Sequence, residues 1–154
     1  MNPARLAVIL AHPLAAIFLI WLFFRQRRWR KNSPLLRGEE RSAAVEDHEV
    51  MGDKIAMASI GIVALAFASN VARGLIDHGD ASRHLVPSFH GSTGIIGLAL
   101  LLYLWRLGRK TKEQRSSGKG FARTKELHGK VSDLLGMLVV IHAFLGFLYL
   151  LNIL

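Results

Sequence analysis

Apolar residues along this chain are gathered into four blocks and do not recur with the period of a strand or of a one-sided helix. The blocks occupy about 6–24, 55–76, 89–105 and 131–154. Each is close to the ~20 residues that a helix rising 1.5 Å per residue needs to cross ~30 Å of hydrocarbon. Helices of a soluble bundle would each keep a polar stripe facing water, and these blocks carry none. The pattern predicts an all-α membrane protein, a four-transmembrane-helix up-down bundle forming one domain over residues 1–154.

Charge then orients the bundle. The net charge is +9, and most of it lies in two connections. One carries Arg25, Arg27, Arg28, Arg30, Lys31, Arg37 and Arg41; the other carries Arg106, Arg109, Lys110, Lys112, Arg115, Lys119, Arg123, Lys125 and Lys130. The connection between the second and third blocks has only Arg83. Alternation of basic and nearly neutral connections is the positive-inside pattern, so both basic loops are expected in the cytoplasm and both termini on the other side. A bacterial cytoplasmic membrane or a thylakoid membrane fits that arrangement. The basic excess is thereby used for topology and for anionic lipid headgroups, and no nucleic-acid partner is implied. The first block lacks a basic start and a small-residue cleavage site, and reads as a retained helix.

The chain further divides into two hairpins in near register. His12 to His48 spans 36 positions and His90 to His128 spans 38; Asp53 follows His48 by five residues and Asp133 follows His128 by five. Such pseudo-repeats are common in membrane proteins whose sites lie between the repeats. In an up-down-up-down bundle the first and third helices are parallel, as are the second and fourth. His12 and His90 therefore share the outer level, and His48 and His128 the inner one. Imidazoles are costly in a bilayer, and four at matched levels suit bis-imidazole ligation of one haem iron per level. With no cysteine in the chain, iron–sulfur ligation and covalent haem attachment through thiols are excluded, leaving haem b, one or two.

The helix faces that carry these histidines are rich in small residues. From His48 the face runs through Gly52, Ile55, Ser59, Ile62, Ala66, Ser69 and Arg73; from His90 it passes Gly94 and Gly97; from His12 it meets Ala15 and Ala16. Small residues admit either a flat cofactor or a neighbouring helix. His142 lies fourteen residues after His128, on nearly the same face and about 21 Å along the axis. That spacing resembles the haem-bearing helices of quinol-oxidising cytochromes b. Counted from the inner helix ends, His12, His90 and His142 lie about 20, 24 and 18 Å deep, so His142 stands as a reserve partner for His12 or a hydrogen-bonding neighbour. Arg73 is placed either to pair with a haem propionate or to snorkel outward. His78 and His84 read as part of a solvated polar link. Asp53 and Asp133 read as rim carboxylates facing water, with orientation of an imidazole as the sharper alternative. No phosphate loop, nucleophile elbow or H-E-x-x-H motif occurs.

Taken together, His12-Pro13, the H-x3-G of His48 to Gly52, and Pro87, His90 and His128 resemble the cytochrome b561 type of four-helix diheme fold, and more closely the membrane family DUF4079. Two features depart from that pattern: Ser88 and Phe89 separate Pro87 from His90, and His142 has no counterpart. The resemblance implies two b-type haems, each ligated by the first with the third helix or the second with the fourth. The function expected is a transmembrane b-type cytochrome passing single electrons, with a quinone pool as one partner. The competing expectation is a small accessory subunit of a larger redox or photosynthetic complex, or a homodimer, with its histidines binding pigment or packing helices.

Overall fold

The computed structural model describes residues 2–154. They form four long helices and one helical turn: α1 (Pro3–Arg27), the short α2 (Trp29–Asn32), α3 (Gly38–His78), α4 (Phe89–Ser116) and α5 (Ala122–Ile153). No strand occurs among the described residues. Each of the four long helices is long and apolar enough to cross a membrane.

Hydropathy locates the apolar middle of each helix and misses its ends. α3 begins at Gly38, well before the apolar block that starts near residue 55, and α4 and α5 likewise run on through most of the basic connection between them. The extra turns are rich in Glu, Lys, Arg and Ala, which lose little rotamer freedom in a helix. Glu39 and Glu40 also fall in the first turn of α3, where a negative charge faces the helix dipole favourably. The two basic loops therefore shrink to residues 28–37, which include α2, and 117–121.

Helix ends are set by local chemistry. Asn2 caps α1, accepting from the Ala4 N–H at 2.9 Å with Pro3 at the first helical position. Ser88 caps α4, accepting from the Gly91 N–H at 3.1 Å. α3 stops at Gly79 (φ 67°), whose N–H bonds the Leu75 carbonyl while the Asp80 N–H reaches Gly74. The Asp80 carbonyl lies where a Cβ on residue 74 would be, so this reversal needs glycine at 74 as well as at 79. α1 passes through Pro13 without interruption.

The helices stand in a square. α1 packs mainly on α3 and α4 mainly on α5, with α3 against α4 and α1 against α5 completing the ring. The diagonal partners, α1 with α4 and α3 with α5, are the parallel ones. Ion pairs tie the two ends. At the basic end Asp133 on α5 accepts from both Arg27 (2.6 Å) and Arg30, and Glu49 on α3 pairs with Lys112 (3.0 Å) and Arg115 (2.8 Å) on α4. At the opposite end Arg5 binds Asp77 at 2.8 Å and the Ile153 carbonyl at 3.1 Å, bringing together the start of α1 and the ends of α3 and α5.

Tight burial is scarce. Phe23, Leu104, Leu107, Val131 and Leu135 make one apolar core near the basic end. Large apolar side chains such as Ile17, Phe18, Trp21, Met57, Ile96, Met137, Phe144 and Phe147 point outward. That is the reverse of a soluble bundle and suits helices surrounded by lipid. The face of α3 read from the sequence does turn inward: Ile55, Ser59 and Arg73 are buried, and Gly52, Ile62, Ala66 and Ser69 half-buried.

Candidate functional site

The diagonals carry the histidines. At the basic end His48 on α3 faces His128 on α5, with ring centres 6.4 Å apart and planes at 75°. At the opposite end His12 on α1 faces His90 on α4, with ring centres 6.2 Å apart and planes at 66°. Two imidazoles on opposite sides of one metal, each nitrogen about 2 Å from it, would put their ring centres about 6.3 Å apart. Both pairs predicted from the repeat are thus brought to axial-ligand spacing.

Their protonation is constrained by acceptors. The Leu104 carbonyl accepts from His128 Nδ1 at 3.1 Å, and the His142 carbonyl accepts from His90 Nδ1 at 3.2 Å. A carbonyl cannot donate, so each neutral ring carries its proton on Nδ1 and keeps a lone pair on Nε2. This is the second contact by which metal-ligating histidines are normally oriented. His12 and His48, the other member of each pair, have Nδ1 buried without a hydrogen-bond partner.

At the basic end, Trp29 of α2 stacks on His48 with ring centres 5.2 Å apart and planes at 26°. The His48 carbonyl, in turn, is held by Gln26 Nε2. The Arg27 guanidinium lies on α5 where a Cβ at Gly136 would be, and Arg30 lies over Gly129, beside His128. Glycine at 136 is what lets the Arg27 guanidinium come down onto the helix, whereas a Cβ at 129 would only touch Arg30. Gly108 on α4 gives room to the His128 ring, whose Cε1 would stand 3.4 Å from a Cβ there. The basic-end pair fits a haem: two opposed imidazoles at the right spacing, one with its metal-binding tautomer set, an orphaned buried nitrogen on the other, and the Arg30 guanidinium over the residue next to His128.

The opposite end holds a third imidazole. His142 stacks on His90 with ring centres 4.1 Å apart and planes at 18°, and ligand nitrogens of His12, His90 and His142 all lie within 4.8 Å of one another. His90 and His142 are therefore not rivals for one place, since both are present. Gly94 on α4 sits under the His142 ring and Gly146 on α5 under the His90 ring; a Cβ would meet Cε1 at 2.9 and 2.7 Å respectively. A porphyrin between His12 and His90 does not fit this arrangement. Any atom within 4.8 Å of two axial nitrogens about 4 Å apart lies less than about 3 Å from the macrocycle plane and inside its outline.

Arg73 does not snorkel outward. It is 5% exposed, donates to the Tyr149 hydroxyl at 2.7 Å and lies 5.5 Å from the centre of that ring, which itself stacks near His90 at 6.0 Å. Asp53 and Asp133 contact no imidazole. Asp53 accepts from Trp105 Nε1 at 2.6 Å and from Arg109 at 3.3 Å, so both carboxylates act as interhelical clamps. His78 and His84 approach to 5.4 Å between ring centres in the polar link, with Asp77 already engaged by Arg5. The His84 imidazole is pushed below its ordinary value by partial burial and then by the Arg73 guanidinium. Asp80 in the same link is held low by the Ser82 hydroxyl and N–H that donate to it.

Sequence reasoning missed Trp29, Thr93, Tyr149, Gly108 and Gly146. Only Gly146 had a legible signal, since His142 to Gly146 repeats the spacing of His90 to Gly94. Comparison of the chain with models of known families, with curated proteins and with solved structures finds no match.

Proposed function

We propose that this chain is a membrane-spanning b-type cytochrome that carries single electrons, with a haem held between His48 and His128 near the basic end. What carries this reading is the His48–His128 pair itself: opposed rings 6.4 Å apart across parallel diagonal helices, His128 bound at Nδ1 by the Leu104 carbonyl and His48 braced by Trp29. A haem iron ligated by two imidazoles exchanges one electron and offers no open position for a substrate.

The chain's residues would each have a defined part. His48 and His128 present nitrogen lone pairs. Leu104 fixes one tautomer, and Trp29 limits rotation of the other ring. Arg27 and Arg30 supply positive charge beside the site, and Asp133 ties both in place and offsets part of it. The basic end faces the cytoplasm, as the distribution of lysine and arginine directs, and both termini lie on the far side. A haem held there would supply one-electron exchange with a lipid-soluble carrier such as a quinol.

The test is a dithionite-reduced minus oxidised spectrum with a pyridine haemochrome count on detergent-purified protein. The expected result is a b-type spectrum that disappears in His48→Ala and in His128→Ala and persists in His142→Ala. A wild-type protein that takes up no haem, as purified or on reconstitution, would overturn the reading.

A further inference from the structure

The end of the bundle away from the basic loops has more imidazoles than a haem can use. Iron in a porphyrin offers two axial positions, whereas His12, His90 and His142 converge there from three helices. We propose that these three histidines form a mononuclear site for a bare transition-metal ion, copper by its ligand chemistry, in place of a second haem.

Three observations carry this. The first is convergence: the ligand nitrogens lie within 4.8 Å of one another, against about 3.4 Å between ligands of a tetrahedral ion 2.0–2.1 Å from each. The second is tautomer control of His142 as well as His90. The Thr93 hydroxyl lies 2.8 Å from the His90 carbonyl and 3.0 Å from His142 Nδ1; with its one hydrogen on the carbonyl it accepts from Nδ1. In that arrangement His142 is protonated at Nδ1, and both stacked rings carry Nε2 lone pairs. Neutral lone pairs gathered in an apolar bundle are costly unless a cation takes them up.

The third is the built housing. His90 and Gly94 on α4, and His142 and Gly146 on the antiparallel α5, interlock reciprocally, each ring resting where the other helix lacks a side chain. The fit disagrees with a porphyrin here because a His142 nitrogen lies within about 3 Å of its plane and inside its outline.

The ligand set selects the ion. Three neutral nitrogens with no thiolate or carboxylate among them suit zinc, copper, iron or nickel, and copper leads the divalent series. No ligand offsets the ion's charge, and the Arg73 guanidinium lies on the same side, linked through Tyr149 to the face of His90. A low ionic charge is therefore favoured, which copper alone of these reaches as Cu(I). The fourth position is left open, as in three-histidine centres that bind a small exogenous ligand.

The experiment uses the tag-free chain in mild detergent. Copper(I) against a chromophoric chelator, and zinc(II) separately, are titrated into wild type, His142→Ala, His142→Gln and His48→Ala, with haem counted on the same samples and far-ultraviolet circular dichroism as the folding control. The expected outcome is one high-affinity copper per wild-type chain and about one haem. Copper affinity falls by about tenfold or more in both His142 variants, with haem unchanged, and His48→Ala loses haem but keeps copper. X-ray absorption should then show three imidazole nitrogens on the metal. Two haems per wild-type chain, or copper affinity indifferent to residue 142, would overturn the proposal. Because the two centres are counted separately, a chain with copper and no haem would refute only the cytochrome reading, and one with a haem and no copper only this one. Should both His142 variants fail to fold, the wild-type titration and its haem count still decide.

Discussion

The two ends of the bundle begin from the same plan and finish differently. Each sets two histidines across a diagonal of parallel helices, at 6.4 Å and 6.2 Å between ring centres. Each fixes one of the pair through a backbone carbonyl and leaves Nδ1 of the other without a partner. What separates them is the neighbouring space. Beside His128 lie the small Gly108 on α4 and, over the neighbouring Gly129, Arg30 clamped on Asp133; beside His90 lies a further imidazole on its own glycine. Spacing of a ligand pair alone therefore does not choose a cofactor. The group that fills the space between and beside the rings does.

The sharpest way to break the contrast is to delete the third ring. His142→Gly keeps the carbonyl that orients His90 and clears the plane between His12 and His90. The expected outcome is that the far end then accepts a porphyrin, raising the haem count from about one to about two per chain in a haemochrome assay. Filling the space has the opposite use. In Gly146→Val the new side chain collides with the His90 ring, and copper affinity should fall about 100-fold while the haem spectrum stays as in wild type, measured by chelator competition. Thr93→Val is gentler. It keeps the shape but removes the acceptor for His142 Nδ1, and a drop in copper affinity of about tenfold is expected.

Much of this was legible in the sequence, for a physical reason. Lipid demands long apolar runs, so the four helices are written in hydropathy, and the helical period places His48, Ser59 and Arg73 on one inward face. The matched positions of His12, His48, His90 and His128 follow from helices that start together in antiparallel hairpins. The ends of α3, α4 and α5 were not legible from hydropathy, because there the helix is built of charged residues whose propensity is high but whose hydropathy is low. The simultaneous presence of His90 and His142 at one place depends on how far α4 and α5 slide along each other. That offset is set by side-chain interlock, His90 on Gly146 and His142 on Gly94, and periodicity within one helix carries no information about it. Trp29 on His48 was hidden for a similar reason, since a single turn of helix after α1 decides where that ring falls.

The smallest expected effect distinguishes the two rim carboxylates at the basic end. Asp133 and Asp53 occupy equivalent places in the pseudo-repeat, are both about half-exposed, and both clamp arginines. Pairs of that exposure contribute about 0.2–1 kcal/mol, so Asp133→Asn and Asp53→Asn should each lower stability by less than about 1 kcal/mol in thermal unfolding in detergent. In Asp53→Asn the amide oxygen can still accept from Trp105 Nε1, which keeps the loss small. Their effects on the haem should differ. Asp133 neutralises Arg27 and Arg30, and Arg30 lies over Gly129, next to His128; without the carboxylate the site feels more positive charge and the reduced, less positive iron is favoured. The midpoint potential should therefore move positive in Asp133→Asn and by a smaller amount in Asp53→Asn, whose partner Arg109 belongs to α4, off the His48–His128 diagonal. Equal shifts in a redox titration of the two variants would mean that Arg27 and Arg30, packed against α5, are no closer in effect to the haem than Arg109 on α4. The assignment of Arg27 and Arg30 to the inner site would then fall, while its histidine ligands would stand.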